Sequence, residues 1–139
     1  MTLAPTAQAT TLVALGDSYS SGEGAKPYYG ESDRRGNRCH RSPLAWPRLL
    51  GATTTHLLAC SGAETEQLYS GAPQRDERGQ LAALGEVAGR TAIDVVTITI
   101  GGNDIGFARH VRDCFLLPSL CLRDQEGIDR DLAALRPDL

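Results

Sequence analysis

Apolar residues come in short blocks along this chain, and three of the blocks end at small residues. Thr10–Leu15 stops at Gly16, Thr55–Cys60 at Ser61-Gly62, and Ile93–Ile100 at Gly101-Gly102. Apolar runs of this length closed by glycine read as buried strands. The segments between them carry helix signals. Asp17–Gly24 turns into a short helix. Ser42-Pro43 offers an N-cap with proline at the first helical position, and Leu44–Ala52 continues it for two or three turns, with Pro47 moving the start later. Ser61-Gly62-Ala63-Glu64 has the Ser-x-x-Glu form of a capping box and opens a helix to about Tyr69. Gln80–Val87 is an amphipathic helix, and Ile128–Leu139 is helical as well. Ala25–Arg41 is polar, contains Pro27, Gly30 and Gly36, and shows no period. It reads as a long loop whose arginine cluster, Arg34–Arg41, is a solvated surface.

Strand and helix alternating three times predict an α/β fold: three layers, α/β/α, with a mostly parallel sheet. No repeat, low-complexity tract or linker divides residues 1–139, so they read as part of one domain. In such sheets chemistry collects beyond the carboxyl ends of the strands. Three loops fall there: Gly16-Asp17-Ser18, Ser61-Gly62 and Gly101-Gly102-Asn103.

Composition narrows the function classes. The 139 residues are 41% hydrophobic and 22% charged, with a formal charge of −3, the balance of an ordinary globular domain. This gives no reason to expect nucleic acid or an anionic membrane as partner. No window reaches the roughly 18 to 20 apolar residues of a membrane span. A nucleotide-binding reading is weak, because neither G-x-G-x-x-G after the first strand nor G-x-x-x-x-G-K-[ST] occurs. Residues 1–11 have no charged and apolar leader pattern, although Ala7-Gln8-Ala9 has the form of a small-residue cleavage site. Cys39, Cys60, Cys114 and Cys121 allow three pairings. Disulfides are favoured over free buried thiols and imply an exported protein. A metal site on Cys39, His40 and Cys60 has poor ligand spacing. No metal or cofactor is expected.

The three loops together suit acyl transfer. Ser18, opening a helix, has a hydroxyl and a backbone N–H with no intrahelical partner. Gly62, in the first turn of the capped helix, offers a second N–H and leaves room for a substrate. Asn103 adds a carboxamide. Three such donors make an oxyanion hole, each worth about 3 to 4 kcal/mol at the transition state. Taken singly, each is an ordinary turn or packing residue; their joint placement at three strand ends is the informative feature. Asp17 and Asp104 read as structural, and Phe107 and Arg109 as packing residues near the entrance.

The stretches GDSYSSGEG (16–24), ACSGAETEQL (59–68) and ITIGGNDIGF (98–107) resemble, in order, the first three blocks of the GDSL-type esterases and lipases, the SGNH hydrolase superfamily. The resemblance runs from about Thr11 to the end. It implies a serine esterase or lipase, with Ser18 as nucleophile and oxyanion donor and with Gly62 and Asn103 completing the hole. It also implies an ester or lipid substrate. The cysteine spacing resembles secreted actinobacterial members and supports the pairs Cys39–Cys60 and Cys114–Cys121. The family's base is a histidine in an Asp-x-x-His block. His40, His56 and His110 do not match it: Asn37, Thr53 and Phe107 stand three residues before them. The expectation is an N-terminal part of such a hydrolase whose histidine lies in sequence beyond Leu139 or on a partner chain. The alternative is a non-catalytic module of the same fold that binds a ligand.

Overall fold

The computed structural model describes residues 9–71, 76–116 and 125–135. Its centre is β1 (Thr11–Gly16), with β2 (Thr54–Leu57) on one side and β3 (Val95–Thr99) on the other, both parallel to it. Thr11 pairs with Thr54, and the other edge runs from Leu12–Val95 to Gly16–Thr99. Leu12 to Leu15 are at most 2% exposed, as a central parallel strand covered on both faces requires. The cover thins outward: Val95, Val96 and Ile98 on β3 are 40 to 50% exposed. The parallel α/β class is therefore as predicted.

The outer strands are shorter than predicted. β2 ends at Leu57 because the Leu58 and Ala59 N–H groups both donate to Ala14 O (2.8 and 3.0 Å), which bends the chain before Cys60 N–H reaches Gly16 O. β3 begins at Val95; just before it Asp94 turns back on β1, accepting the Thr11 N–H on its side chain at 2.7 Å.

The α-helices are α1 (Ser18–Ser21), α2 (Gln80–Ala88), α3 (Phe107–Leu116) and α4 (Gln125–Leu135). α1 packs on β1 and β3, and α2 packs on β1. Residues 136–139 of the predicted last helix lie outside the described residues. α3 has no counterpart among the predicted elements. Its signal, Phe107, Val111, Cys114 and Phe115, follows directly on a glycine-rich turn.

Two predicted helices are corrected. Leu44–Ala52 holds only a 3₁₀ turn, Trp46–Leu50, with Pro47 at its second position and Gly51 (φ 79°) stopping it. Ser42 does not cap it: its Oγ accepts the Leu44 N–H and donates to Ala25 O. The capping box belongs to Glu64 and Gln67 instead of Ser61 and Glu64, and the element is a 3₁₀ turn, Thr65–Leu68. Gly62 (φ 74°) therefore sits in a left-handed turn before that element, not inside a helix.

Cys39 and Cys60 form a disulfide at the centre of the small core that includes Ala63. Replacing both by serine opens a loop with a sequence separation of 21. It is expected to cost about 3 kcal/mol, read as a lowered urea midpoint. The pair Cys114–Cys121 lies outside the described residues, which do not include Cys121.

A second tie is electrostatic. Arg41 donates to Leu58 O and Ala59 O and grips the Glu77 carboxylate with both terminal nitrogens (2.8 and 3.0 Å). Burial pushes the Glu77 carboxyl's pKa up, but the Arg41 hydrogen bonds and charge, with Asn37, outweigh it and hold the carboxyl below its usual range. A carboxyl lowered in the folded state stabilises fully above its unfolded pKa, about 4.3, and that stability is lost as pH falls through the folded value. Acid titration of thermal stability is expected to show this loss starting near pH 4.5 and deepening below it; Glu77→Gln flattens that limb.

Candidate active site

β1 delivers its C-terminus into a turn that only glycine fits. Gly16 has φ 122°, and the Gln80 carboxamide clasps it, accepting the Gly16 N–H (2.7 Å) and donating to Gly16 O (2.9 Å). Asp17, 8% exposed, caps α1: its Oδ1 accepts the Tyr19 N–H at 3.0 Å and lies 3.0 Å from Thr99 Oγ1. Its side chain is committed to the turn. Ser18 follows, half-buried, and neither its hydroxyl nor its N–H bonds to a described residue.

The second loop is held from several directions. Ser61 N–H donates to Cys39 O (3.0 Å), Ser61 Oγ to Glu23 (2.5 Å), and Ala63 O accepts the Asn103 Nδ2 group (2.7 Å). The Gly62 N–H between these anchors has no partner among the described residues. The third loop is tied to the second twice. Besides the Asn103 bond, the Asp104 carboxylate accepts Thr65 N–H and Oγ–H, so Asp104 is structural. Asn103 retains one amide hydrogen beyond the bond to Ala63.

Ser18 and Asn103 line one cleft of about 470 Å³, together with Asp17, Tyr19, Glu23, Gly102, Phe107 and Ala108. Gly62 does not line it; the Asn103 and Glu23 bonds attach its loop to the cleft wall. No histidine lines this cleft among the described residues. His40 is bound to Glu23 (2.6 Å), His56 lies in β2, and His110 is buried with Nε2 3.6 Å from Asp131. Arg109 is exposed and lies 3.7 Å from the same carboxylate. Sequence reasoning missed Glu23 and Gln80. Glu23 stood inside the GDSYSSGEG block, but nothing local announced its partners.

A parallel α/β sheet with serine, glycine and asparagine loops at its strand ends defines the class as an SGNH-type hydrolase fold. The chain belongs to the GDSL-like lipase/acylhydrolase family, whose sequence profile matches residues 14–137. It is 41% identical over 124 residues to a lipase of Streptomyces rimosus, covering 86% of this chain and 40% of that protein. It is also 40% identical over 112 residues to Lipase 1 of Streptomyces coelicolor, covering 79% and 36%. Among solved structures it resembles the extracellular lipase of S. rimosus (TM-score 0.62, 39% identity, 86% of this chain and 46% of that one). Phospholipase A1 of Streptomyces albidoflavus is similar too (TM-score 0.58, 32% identity, 87% and 46%). The chain thus spans less than half the length of these relatives.

Proposed function

We propose that this chain carries the nucleophile and oxyanion donors of a carboxylic ester hydrolase. The observation that supports this most is the shared cleft of Ser18 and Asn103, with the Gly62 loop bonded to both Asn103 and Glu23. In the reaction, Ser18 Oγ attacks the ester carbonyl carbon while its proton passes to a histidine base. The carbonyl oxygen gains the negative charge and is held by the N–H groups of Ser18 and Gly62 and the Asn103 amide. Collapse expels the alcohol, which takes the proton from the histidine and leaves an acyl-serine. Water, deprotonated by the same base, attacks that ester and releases the acid and Ser18.

The base comes from a segment outside the described residues, on the same polypeptide or a partner chain, which makes residues 1–139 the N-terminal part of one hydrolase domain. The relatives' names favour a lipid ester as substrate. The Cys39–Cys60 bridge and the extracellular relative favour a secreted protein. The test is hydrolysis of a short-chain aryl ester by this chain together with the base-bearing segment, with Ser18→Ala alongside. Equal rates overturn the assignment.

A further inference from the structure

Glu23 gathers more hydrogen-bond donors than an exposed turn residue needs. It follows the left-handed cap of α1 at Gly22, and its N–H donates to Ser18 O at 3.1 Å, so its backbone is tied to the serine loop. Its side chain lines the cleft. Oε2 accepts Ser61 Oγ–H (2.5 Å) and His40 Nδ1–H (2.6 Å), and Oε1 accepts the Tyr28 hydroxyl (3.1 Å). Tyr28 in turn accepts the Gly24 N–H at 2.8 Å and stacks on the His40 ring, with centroids 4.7 Å apart. Three donors converging on one group call for an acceptor without hydrogens of its own, which an ionised carboxylate is. Burial raises the Glu23 pKa, but the bonds from Ser61, His40 and Tyr28 outweigh it and leave the carboxyl below its ordinary value. Glu23 is therefore ionised at neutral pH.

The bond to Ser61 has a geometric consequence. The Gly62 N–H belongs to the peptide linking Ser61 to Gly62, and a glycine at φ 74° imposes little restraint of its own. The direction of that N–H depends on anchors at either side. On the far side Ala63 is held by Asn103. On the near side the anchors are the Cys60 disulfide, the Cys60 N–H bond to Gly16 O, the Ser61 N–H bond to Cys39 and the Ser61–Glu23 bond. The Cys60 bond meets the start of the serine loop one residue before Ser61; only the Ser61–Glu23 bond ties Ser61 itself to the segment that follows Ser18. We propose that Glu23 is a positioning residue: acting through Ser61, it fixes the Gly62 N–H relative to Ser18. This rests on the reading of the site as an acyl-transfer centre.

The experiment has two arms. In the ester-hydrolysing assembly of this chain with its base-bearing segment, Glu23→Ala is expected to lower kcat about 10- to 100-fold, the scale of a small misplacement of a catalytic group. KM stays within about twofold, because the oxyanion donor acts in the transition state. Glu23→Gln, which keeps an oxygen for the Ser61 hydroxyl, recovers most of the rate. Ser61→Ala reproduces the loss, and the double variant is no slower than either single one, since both break one bond. In the other arm, the isolated chain is followed by amide NMR. Glu23→Ala and Ser61→Ala shift the Gly62 signal and speed its hydrogen exchange, while the β1 amides keep their protection. Unchanged kcat, additive losses or an unmoved Gly62 signal overturns the proposal. Should Glu23→Ala not fold, Ser61→Ala carries both arms. If Ser18→Ala leaves hydrolysis intact, the acyl-transfer reading and the proposal's catalytic role fall together. The NMR arm still shows whether Glu23 holds the loop.

Discussion

In the proposed ester-hydrolysing assembly of this chain with its base-bearing segment, Ser18→Ala is expected to remove hydrolysis, lowering kcat on the order of 10⁴- to 10⁶-fold, the loss seen when the nucleophile of a serine–base unit is deleted. The residue should be removable without harm to the fold. Its hydroxyl bonds to no described residue, and the α1 cap is made by Asp17, not by Ser18. Alanine at the first helical position keeps the N–H proposed as an oxyanion donor, so what disappears is the proposed attacking oxygen alone. The variant's thermal midpoint should therefore stay within a degree or two of the parent's, about the effect of a neutral surface change. KM should move little, because the cleft walls formed by Asn103, Phe107 and Tyr19 are untouched. Steady-state kinetics beside a thermal melt separates this from unfolding. A variant that melts normally and still turns over at the parent rate places the nucleophile elsewhere.

The parts of this site that were legible in the sequence are those decided locally. An apolar run closed by Gly16, Ser61-Gly62 or Gly101-Gly102 marks both a strand and the loop beyond it, so the sheet and its three loops were readable together. Asp17 was legible for the same reason, since a cap acts on an N–H two residues away. Ser61 was not. Ser61-x-x-Glu64 has the sequence form of a capping box and Glu64-x-x-Gln67, with glutamate at the N-cap, does not, yet the structure builds the second; contacts distant in sequence decide it. Glu23, 38 residues away, takes the Ser61 hydroxyl, and Asp104, 39 residues away, takes the Thr65 N–H. Pro47 and Gly51 held Trp46–Leu50 to a 3₁₀ turn although its apolar pattern suited a longer helix. Gln80 looked like the polar first residue of an amphipathic helix. It is 4% exposed because its amide completes the hydrogen bonding of Gly16.

Gly16→Ala is expected to prevent folding, and the cause differs from that of Ser18→Ala. A Cβ at Gly16 would stand 2.0 Å from Thr99 O and 2.7 Å from Thr99 N, both main-chain atoms of β3, at a φ of 122° that side-chain-bearing residues rarely adopt. Neither side can yield cheaply. Thr99 O accepts the Asp17 N–H at 2.8 Å, and Gly16 is gripped on both its N–H and its carbonyl by Gln80, besides the Cys60 N–H bond to that carbonyl. Moving β3 outward breaks the β1–β3 register that ends at Gly16–Thr99. Moving Gly16 strips a buried amide pair of its partners. The expected cost is about 4 kcal/mol or more, the exceptional range for one substitution, against a total of about 5–15 kcal/mol for a domain. Far-ultraviolet dichroism and urea titration read it directly: the variant should lack a cooperative transition or melt far below the parent. A midpoint within a few degrees of the parent's would mean that the strand end relaxes more easily than this contact allows. The serine loop would then be set by α1 and its cap, not by the tight passage of β1 past Thr99.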